Sequence, residues 1–400
     1  MIEIKRLNKY KLINFKKIIN SDIEGEIFVT NGKVITNVSD ASSFTEIDCK
    51  KGIVTPGFID VQVNGLGECN FWDVDNLTFE KIDLLRKELV KCGVVAFCPT
   101  IITAPKDKIL KTIDYINSYL KTAHKPIGAR IIGIHLEGVF ITNYGVHKKE
   151  YSLSKLNIED ISPFIQENVV MFTYAPELDK DGAVKKYLAS KNILASIGHS
   201  LANYSQGIEA IKKHGYDVVT HMFNVLKGVE GFSHRVKEKC NLTLLEEKLN
   251  NNNRIDPIND GIVLSLLQEP NVLCMVIADG IHVCKEALEF LIKKKGKEYV
   301  SLVSDQVSSI FYNEMALKGM LGGGQSTLDM CIKNLIKWKI CSVDDALYMA
   351  SVPIAKRLKV VQDMGFGTVT KGNPANLVIW NTEKNTVLGT IIGENVFLNR

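Results

Sequence analysis

The segment Ile193-Leu-Ala-Ser-Ile-Gly-His199-Ser200, then Leu201 to His214, then Val218-Val-Thr-His221-Met-Phe-Asn224 reads as strand, helix, strand. The two outer runs are short and apolar, and each leads into a histidine. The stretch between them spaces its apolar residues as a helix does, with Ser200 placed to cap it. If the outer runs are parallel neighbours in one sheet, His199 and His221 emerge side by side at the same edge. Two imidazoles converging at the carboxyl ends of adjacent strands make half of a metal site. Two ordinary histidines in connecting turns are the alternative on this segment alone.

The same grammar recurs in both directions. Apolar runs begin at Gly57, Val94, Ala129, Val169, Val272 and Tyr299, each followed by a helix-compatible stretch. With the two histidine runs they number eight. Continuous apolar strands separated by helices imply a parallel sheet covered on both faces. Eight such units close a barrel, so the expected fold is α/β, a (β/α)8 TIM-like barrel over residues 56–366. A doubly wound open sheet is the alternative, but no Gly-x-Gly-x-x-Gly follows the first strand to mark a dinucleotide site. Residues 1–55 and 367–400 are different in kind, with short alternating runs and turn signals. Asn31-Gly32 between two such runs is a hairpin cue. Both ends are expected to build one small β-sandwich. Residues 226–258 break the barrel rhythm and end in the asparagine run Asn250 to Asn253, which reads as a low-complexity surface excursion.

Composition narrows the class. The 400 residues are 46% apolar and 24% charged, and 49 basic against 45 acidic residues leave a net charge of only +4. Scattered lysines in so even a balance argue for a solvated surface and against nucleic acid as partner. Nine cysteines, odd in number and without a Cys-x-x-Cys pair, look like small buried hydrophobes in a reducing compartment. No apolar run reaches membrane-spanning length and the N-terminus has no apolar signal core. A cytoplasmic protein without a membrane partner is expected.

The chemistry lies where the apolar runs stop. Gln62, Asn64, Glu137, Glu177, His199, His221, Asn224, Asp279 and Asp305 all fall there, on what would be one mouth of a barrel. Each alone is explained as a cap or turn residue; acids, amides and imidazoles in register across many strands point further. Glu137, His199 and His221 supply a carboxylate and two neutral nitrogens, a set suited to zinc or ferrous iron. Asp305, ending the last run, is the candidate base to take a proton from the hydrolytic water. His147 and His282 lie just beyond strands three and seven, within reach of a substrate oxygen. His135 points to the same side of its strand as Glu137, and packing or support of the ligands is its expected use.

Taken in order, Pro56-Gly-Phe-Ile-Asp-Val-Gln-Val-Asn-Gly65, His135-Leu-Glu-Gly138, Ala175-Pro-Glu177, Gly198-His-Ser200, Thr220-His-Met-Phe-Asn224, Ala278-Asp-Gly-Ile-His282, Ser304-Asp305 and Gly365 to Leu377 form a set. That set resembles the N-acetylglucosamine-6-phosphate deacetylases of the amidohydrolase superfamily across nearly the whole chain. The resemblance implies Glu137, His199 and His221 as ligands of one divalent metal and Asp305 as the base. It also places Gln62 in the water and metal pocket, His147 near the sugar and carbonyl, and Asn224 and Val225 at the phosphate. His282 would reach the phosphate too, across the interface of a homodimer. The implied reaction releases acetate from N-acetylglucosamine-6-phosphate. N-acetylgalactosamine-6-phosphate or another N-acyl substrate is the nearest alternative, and a non-catalytic sugar-phosphate binding protein on the same scaffold a further one. Two departures stand out. The family's common Leu-Glu-Gly-Pro-Phe is Leu-Glu-Gly-Val139-Phe140 here, and the arginine expected eight residues after Asn224 is replaced by Phe232. Arg235 is then the nearest candidate for a bidentate phosphate clamp.

Overall fold

The computed structural model describes residues 2–36, 38–122, 128–228, 242–320 and 322–399. Arg235 and the other positions of 229–241 lie outside the described residues.

Eight parallel strands form the expected barrel: Phe58–Val63, Val94–Ile102, Ile134–Glu137, Val169–Tyr174, Leu194–Ile197, Val218–Val219, Leu273–Val276 and Val300–Leu302. Each pairs with the next, from the first with the second to the seventh with the eighth. The ring closes where Val63 bridges Gln306, with the Asn64 and Gly65 amides donating to the Gln306 carbonyl at 2.8 and 3.0 Å. Below that seam the Ser304 amide donates to the buried Asp60 carboxylate at 3.3 Å. Residues along these strands are almost all buried, because side chains fill the barrel from inside and helices cover it from outside. Phe79–Lys91, for example, starts where the Thr78 hydroxyl accepts from the Lys81 amide, and turns Ile82, Leu85, Leu89 and Val90 onto the barrel.

The two ends of the chain meet in β-structure. One sheet joins Ile2–Arg6, Asn395–Asn399, Thr386–Ile392, Asn376–Asn381, Ile53–Pro56 and Lys17–Ile18; a second joins Lys33–Ile35, Ile27–Thr30, Lys9–Ile13 and Thr45–Asp48. Tyr10, Leu12, Ile27 and Val29 share a core with Leu377, Ile379, Ile391 and Val396. The Asn31-Gly32 turn is a two-residue hairpin with φ of 50° and 73°, the left-handed pair that an Asn-Gly sequence supplies.

Two expectations are corrected. The helix between the histidine strands is Tyr204–Lys212, and its cap is Asn203, which forms a capping box with Gln206. Ser200 instead donates to Glu177 at 2.7 Å. The asparagine run does lie exposed at the surface, but it has definite local structure: Leu242–Asn250 is a helix, and the Asn251 side chain caps the short turn Asn252–Arg254. The following helix Ile262–Gln268 is buried over most of its length and packs on Tyr204–Lys212, where a Cβ on Gly207 would stand 2.0 Å from the Ser265 hydroxyl. Among the described residues no helix is long and apolar enough to cross a membrane.

Candidate active site

At the mouth the backbone turns sharply as each strand ends. His199 (φ 51°), His221 (25°), Phe223 (75°), Val225 (51°) and Asp305 (47°) all sit in the left-handed region, where residues with side chains are uncommon. The turns direct the histidines inward. His199 Nδ1 lies 3.0 Å from the Asn143 carbonyl oxygen. A carbonyl only accepts, so this nitrogen carries the proton and Nε2 offers its lone pair to the site. His221 Nε2 is 2.8 Å from Glu137 Oε1 and 3.1 Å from His199 Nε2, and His199 Nε2 is 3.4 Å from the same carboxylate oxygen.

Three donor atoms, two imidazole nitrogens and one carboxylate oxygen, therefore meet at one buried point. Among the described residues this is the one His, Cys, Asp and Glu cluster compact enough to hold a metal ion. The donor set fits a borderline divalent cation such as zinc or ferrous iron. Burial pushes the Glu137 carboxyl up, but hydrogen bonds and charge from His199 and His221 outweigh it and hold it well below the usual range. Burial likewise works to lower His221, and the Glu137 partner reverses this to a net rise.

Around this point the polar groups are interlocked. Thr220 donates to Gln62 Oε1 at 2.6 Å, which turns the Gln62 amide nitrogen onto Glu137 Oε1 at 2.9 Å. Gln62 thus faces the cluster as a donor. Asn64 donates to Asp305 Oδ1 at 2.6 Å. Asp305 is pushed up to about 7, first by burial and then by the negative charge of Glu137. The His147 ring stacks on His199 with centroids 4.2 Å apart, and its Nδ1 lies 2.7 Å from the Thr103 hydroxyl. Burial and then the neighbouring His199 keep His147 well below the usual imidazole range.

Glu137, His147, His199, His221, Asn64 and Asp305 line one cavity of about 280 Å³ together with Asn224, Val225 and His282, while Gln62, Thr220 and Thr103 stand behind its wall. His282 Nδ1 is tied to Asp279 Oδ2 at 2.7 Å, while His282 Nε2 and Asn224 Nδ2 are buried without a protein partner among the described residues. Two buried polar atoms left over at a cavity wall mark where a polar ligand belongs. Part of the lining is apolar, with the Trp72 and Phe311 rings tilted against each other at 4.6 Å between centroids, beside Val146 and Val307. The sequence reading missed this part, and it missed Thr220, Thr103 and the Asn64–Asp305 bond. Phe311 rides on the helix Ser309–Leu317 after strand eight, which gave no spacing signal.

Two strand-end residues are used elsewhere. Glu177 lies in a short turn, accepting from Thr142, Ser200 and the Leu201 amide. His135 is enclosed between the Val61 carbonyl at 2.9 Å and the Thr173 hydroxyl at 2.8 Å, and burial lowers it to about 4, as expected of a packing residue.

Comparison with known proteins gives the same direction. Residues 53–397 match the sequence model described as the amidohydrolase family. The chain is 29% identical to the N-acetylglucosamine-6-phosphate deacetylase of Danio rerio, over 92% of each chain. Its fold is similar to the crystal structure of N-acetylglucosamine-6-phosphate deacetylase from Pasteurella multocida, with a TM-score of 0.77 and 22% identity over 97% of this chain and 99% of that one. It is similar also to a Mycobacterium smegmatis N-acetyl-D-glucosamine-6-phosphate deacetylase mutant in complex with N-acetyl-D-glucosamine-6-phosphate, with a TM-score of 0.76 and 19% identity over 97% and 98%.

Proposed function

The chain belongs to the amidohydrolase family, and on that premise we propose that it hydrolyses the acetamide of N-acetylglucosamine-6-phosphate to glucosamine-6-phosphate and acetate. The observation that carries this reading is the meeting of Glu137 Oε1, His199 Nε2 and His221 Nε2 at the floor of a cavity that Asp305 also lines. The relative's name supplies the substrate class.

Glu137, His199 and His221 would hold one zinc or ferrous ion, which supplies a Lewis acid and lowers the pKa of water. Every other role falls to the chain's own groups. Asp305, anchored by Asn64, takes the proton of the attacking water and returns it to the departing sugar amine. Gln62, a fixed donor, holds Glu137 in position and leaves no second anionic ligand on its side for another cation. His147 donates to a substrate oxygen. Asn224 Nδ2 and His282 Nε2, both buried without partners among the described residues, together with the backbone at Val225 receive the phosphate end, with Arg235 as its candidate clamp. The same reading includes a cytoplasmic homodimer.

The test is acetate release from N-acetylglucosamine-6-phosphate, N-acetylgalactosamine-6-phosphate and plain N-acetylglucosamine, each with zinc and with ferrous iron. Metal-dependent turnover preferring the first substrate is expected. Preference for the galactose epimer or the unphosphorylated sugar would refute the substrate assignment, and no release with either metal would refute hydrolysis itself.

A further inference from the structure

Among the described residues the Thr103 hydroxyl has two polar neighbours, and they constrain its proton. The Val139 backbone amide donates to Thr103 Oγ1 at 3.0 Å, and His147 Nδ1 lies 2.7 Å from the same oxygen. An amide nitrogen of this kind only donates, so the hydroxyl hydrogen has one acceptor within reach, the lone pair of Nδ1. The opposite arrangement, with Nδ1 protonated, would leave the hydroxyl hydrogen in a buried site without an acceptor. Leaving such a donor unsatisfied disfavours that tautomer on the order of tenfold or more. Both residues are enclosed, Thr103 being 6% and His147 7% exposed.

The local backbone is shaped around this contact. A Cβ on Gly138 would stand 2.1 Å from Thr103 Oγ1 and 3.0 Å from His147 Nδ1, so only glycine admits the pair. Val139 sits at φ 58°, a conformation closed to proline, and supplies the amide hydrogen that proline lacks. The departure from Leu-Glu-Gly-Pro-Phe is therefore what completes the relay in this chain.

We infer that Thr103 is a positioning residue that fixes His147 as the Nε2-protonated tautomer, so that His147 faces the cavity as a hydrogen-bond donor to a substrate oxygen. The tautomer follows from the protein's own contacts; the role in turnover rests on the deacetylase reading.

The test uses zinc-loaded protein labelled with 15N-histidine, with 15N–1H spectra reporting which His147 nitrogen carries the proton. Wild type is expected to show Nε2–H. Thr103→Val is expected to mix the tautomers and lower kcat/KM about tenfold, mainly through kcat, the loss of one oriented neutral hydrogen bond. Thr103→Ser, which keeps the hydroxyl, should restore both. Protonation at Nδ1 in wild type overturns the inference regardless of any activity, as does a serine variant that behaves like valine. If wild type shows Nε2–H while none of the three proteins releases acetate, the tautomer assignment stands and the deacetylase reading falls.

Discussion

Replacing Asp305 by asparagine separates what this carboxylate contributes to chemistry from what it costs the fold. The side chain is 8% exposed, and it accepts from Asn64 at 2.6 Å. An asparagine oxygen can accept the same bond, so the local packing survives the change. Without a metal, burial and then the Glu137 charge push the folded carboxyl up to about 7, from an ordinary value of 3.8. A folded value raised above the unfolded one means stability that is complete below the unfolded value and lost as pH rises through the folded one. At pH 8.5 the ionised group therefore opposes folding, whereas at pH 5 most of it is still protonated. Integrated between those two conditions, the difference is roughly 3 kcal/mol. Chelator-treated Asp305→Asn should accordingly gain stability over wild type on going from pH 5 to pH 8.5, measured by urea midpoints at both. Adding zinc should shrink the gain, because a bound cation offsets the paired charges of Glu137 and Asp305. Turnover of the metal-loaded variant should fall by about 10²–10⁴. An equal stability change at both pH values would refute the electrostatic argument, and normal turnover would refute Asp305 as the base.

The remaining predictions concern the groups around it. Chelation should abolish activity, and zinc at a hundred times its Kd should stabilise the protein by about 2.7 kcal/mol in thermal or chemical unfolding; Glu137→Gln should lose most of that increment and the bound metal with it. Gln62→Leu strands the Thr220 hydroxyl and removes a donor from Glu137, so metal analysis should show affinity weakened by about 10–100-fold. Gly323→Ala would bring a Cβ within 2.7 Å of the Asp305 carbonyl oxygen at φ 73°, and kcat should fall more steeply than the unfolding midpoint as Asp305 is displaced.

Much of the architecture was legible because it rests on periodicity and composition. Eight buried runs announce a barrel, and Asn31-Gly32 announces its hairpin, since both depend on a few consecutive residues. The convergence of Glu137, His199 and His221 was legible for a related reason: residues ending strands of a barrel must share a mouth. What stayed hidden depends on partners distant in sequence. Ser200 looks like a cap until Glu177 claims its hydroxyl and Asn203 takes over the helix start. The asparagine run looks featureless until Asn251 is seen capping a turn. Trp72 comes from the loop after strand one and Phe311 from the helix Ser309–Leu317 after strand eight, and they meet because the barrel closes there.

The strained backbone explains why the site lies where strands end and not along them. Within a strand, successive side chains alternate between the packed interior and the helical layer, and neither offers open space for a substrate. Glu137 and Gln62 reach the cluster from within their strands, but beyond the strand ends a break in the extended conformation is what turns a side chain toward the mouth. His199, His221 and Asp305 each make that break with a positive φ, at a cost on the order of 1–3 kcal/mol apiece. Val139 does so after strand three, where the gain is an amide hydrogen aimed at Thr103. Such strain persists only where surrounding contacts determine the conformation, and here they are specific. The His199 carbonyl accepts from the Thr142 and Asn143 amides at 3.0 and 2.9 Å, and the Asp305 carbonyl accepts from the Gly324 amide at 2.7 Å. The loops that follow the strands are thus the clamps that keep His199 and Asp305 converged, so substitution of Gly324, where a Cβ would stand 2.6 Å from the Ser304 carbonyl oxygen, should disturb the site from outside it.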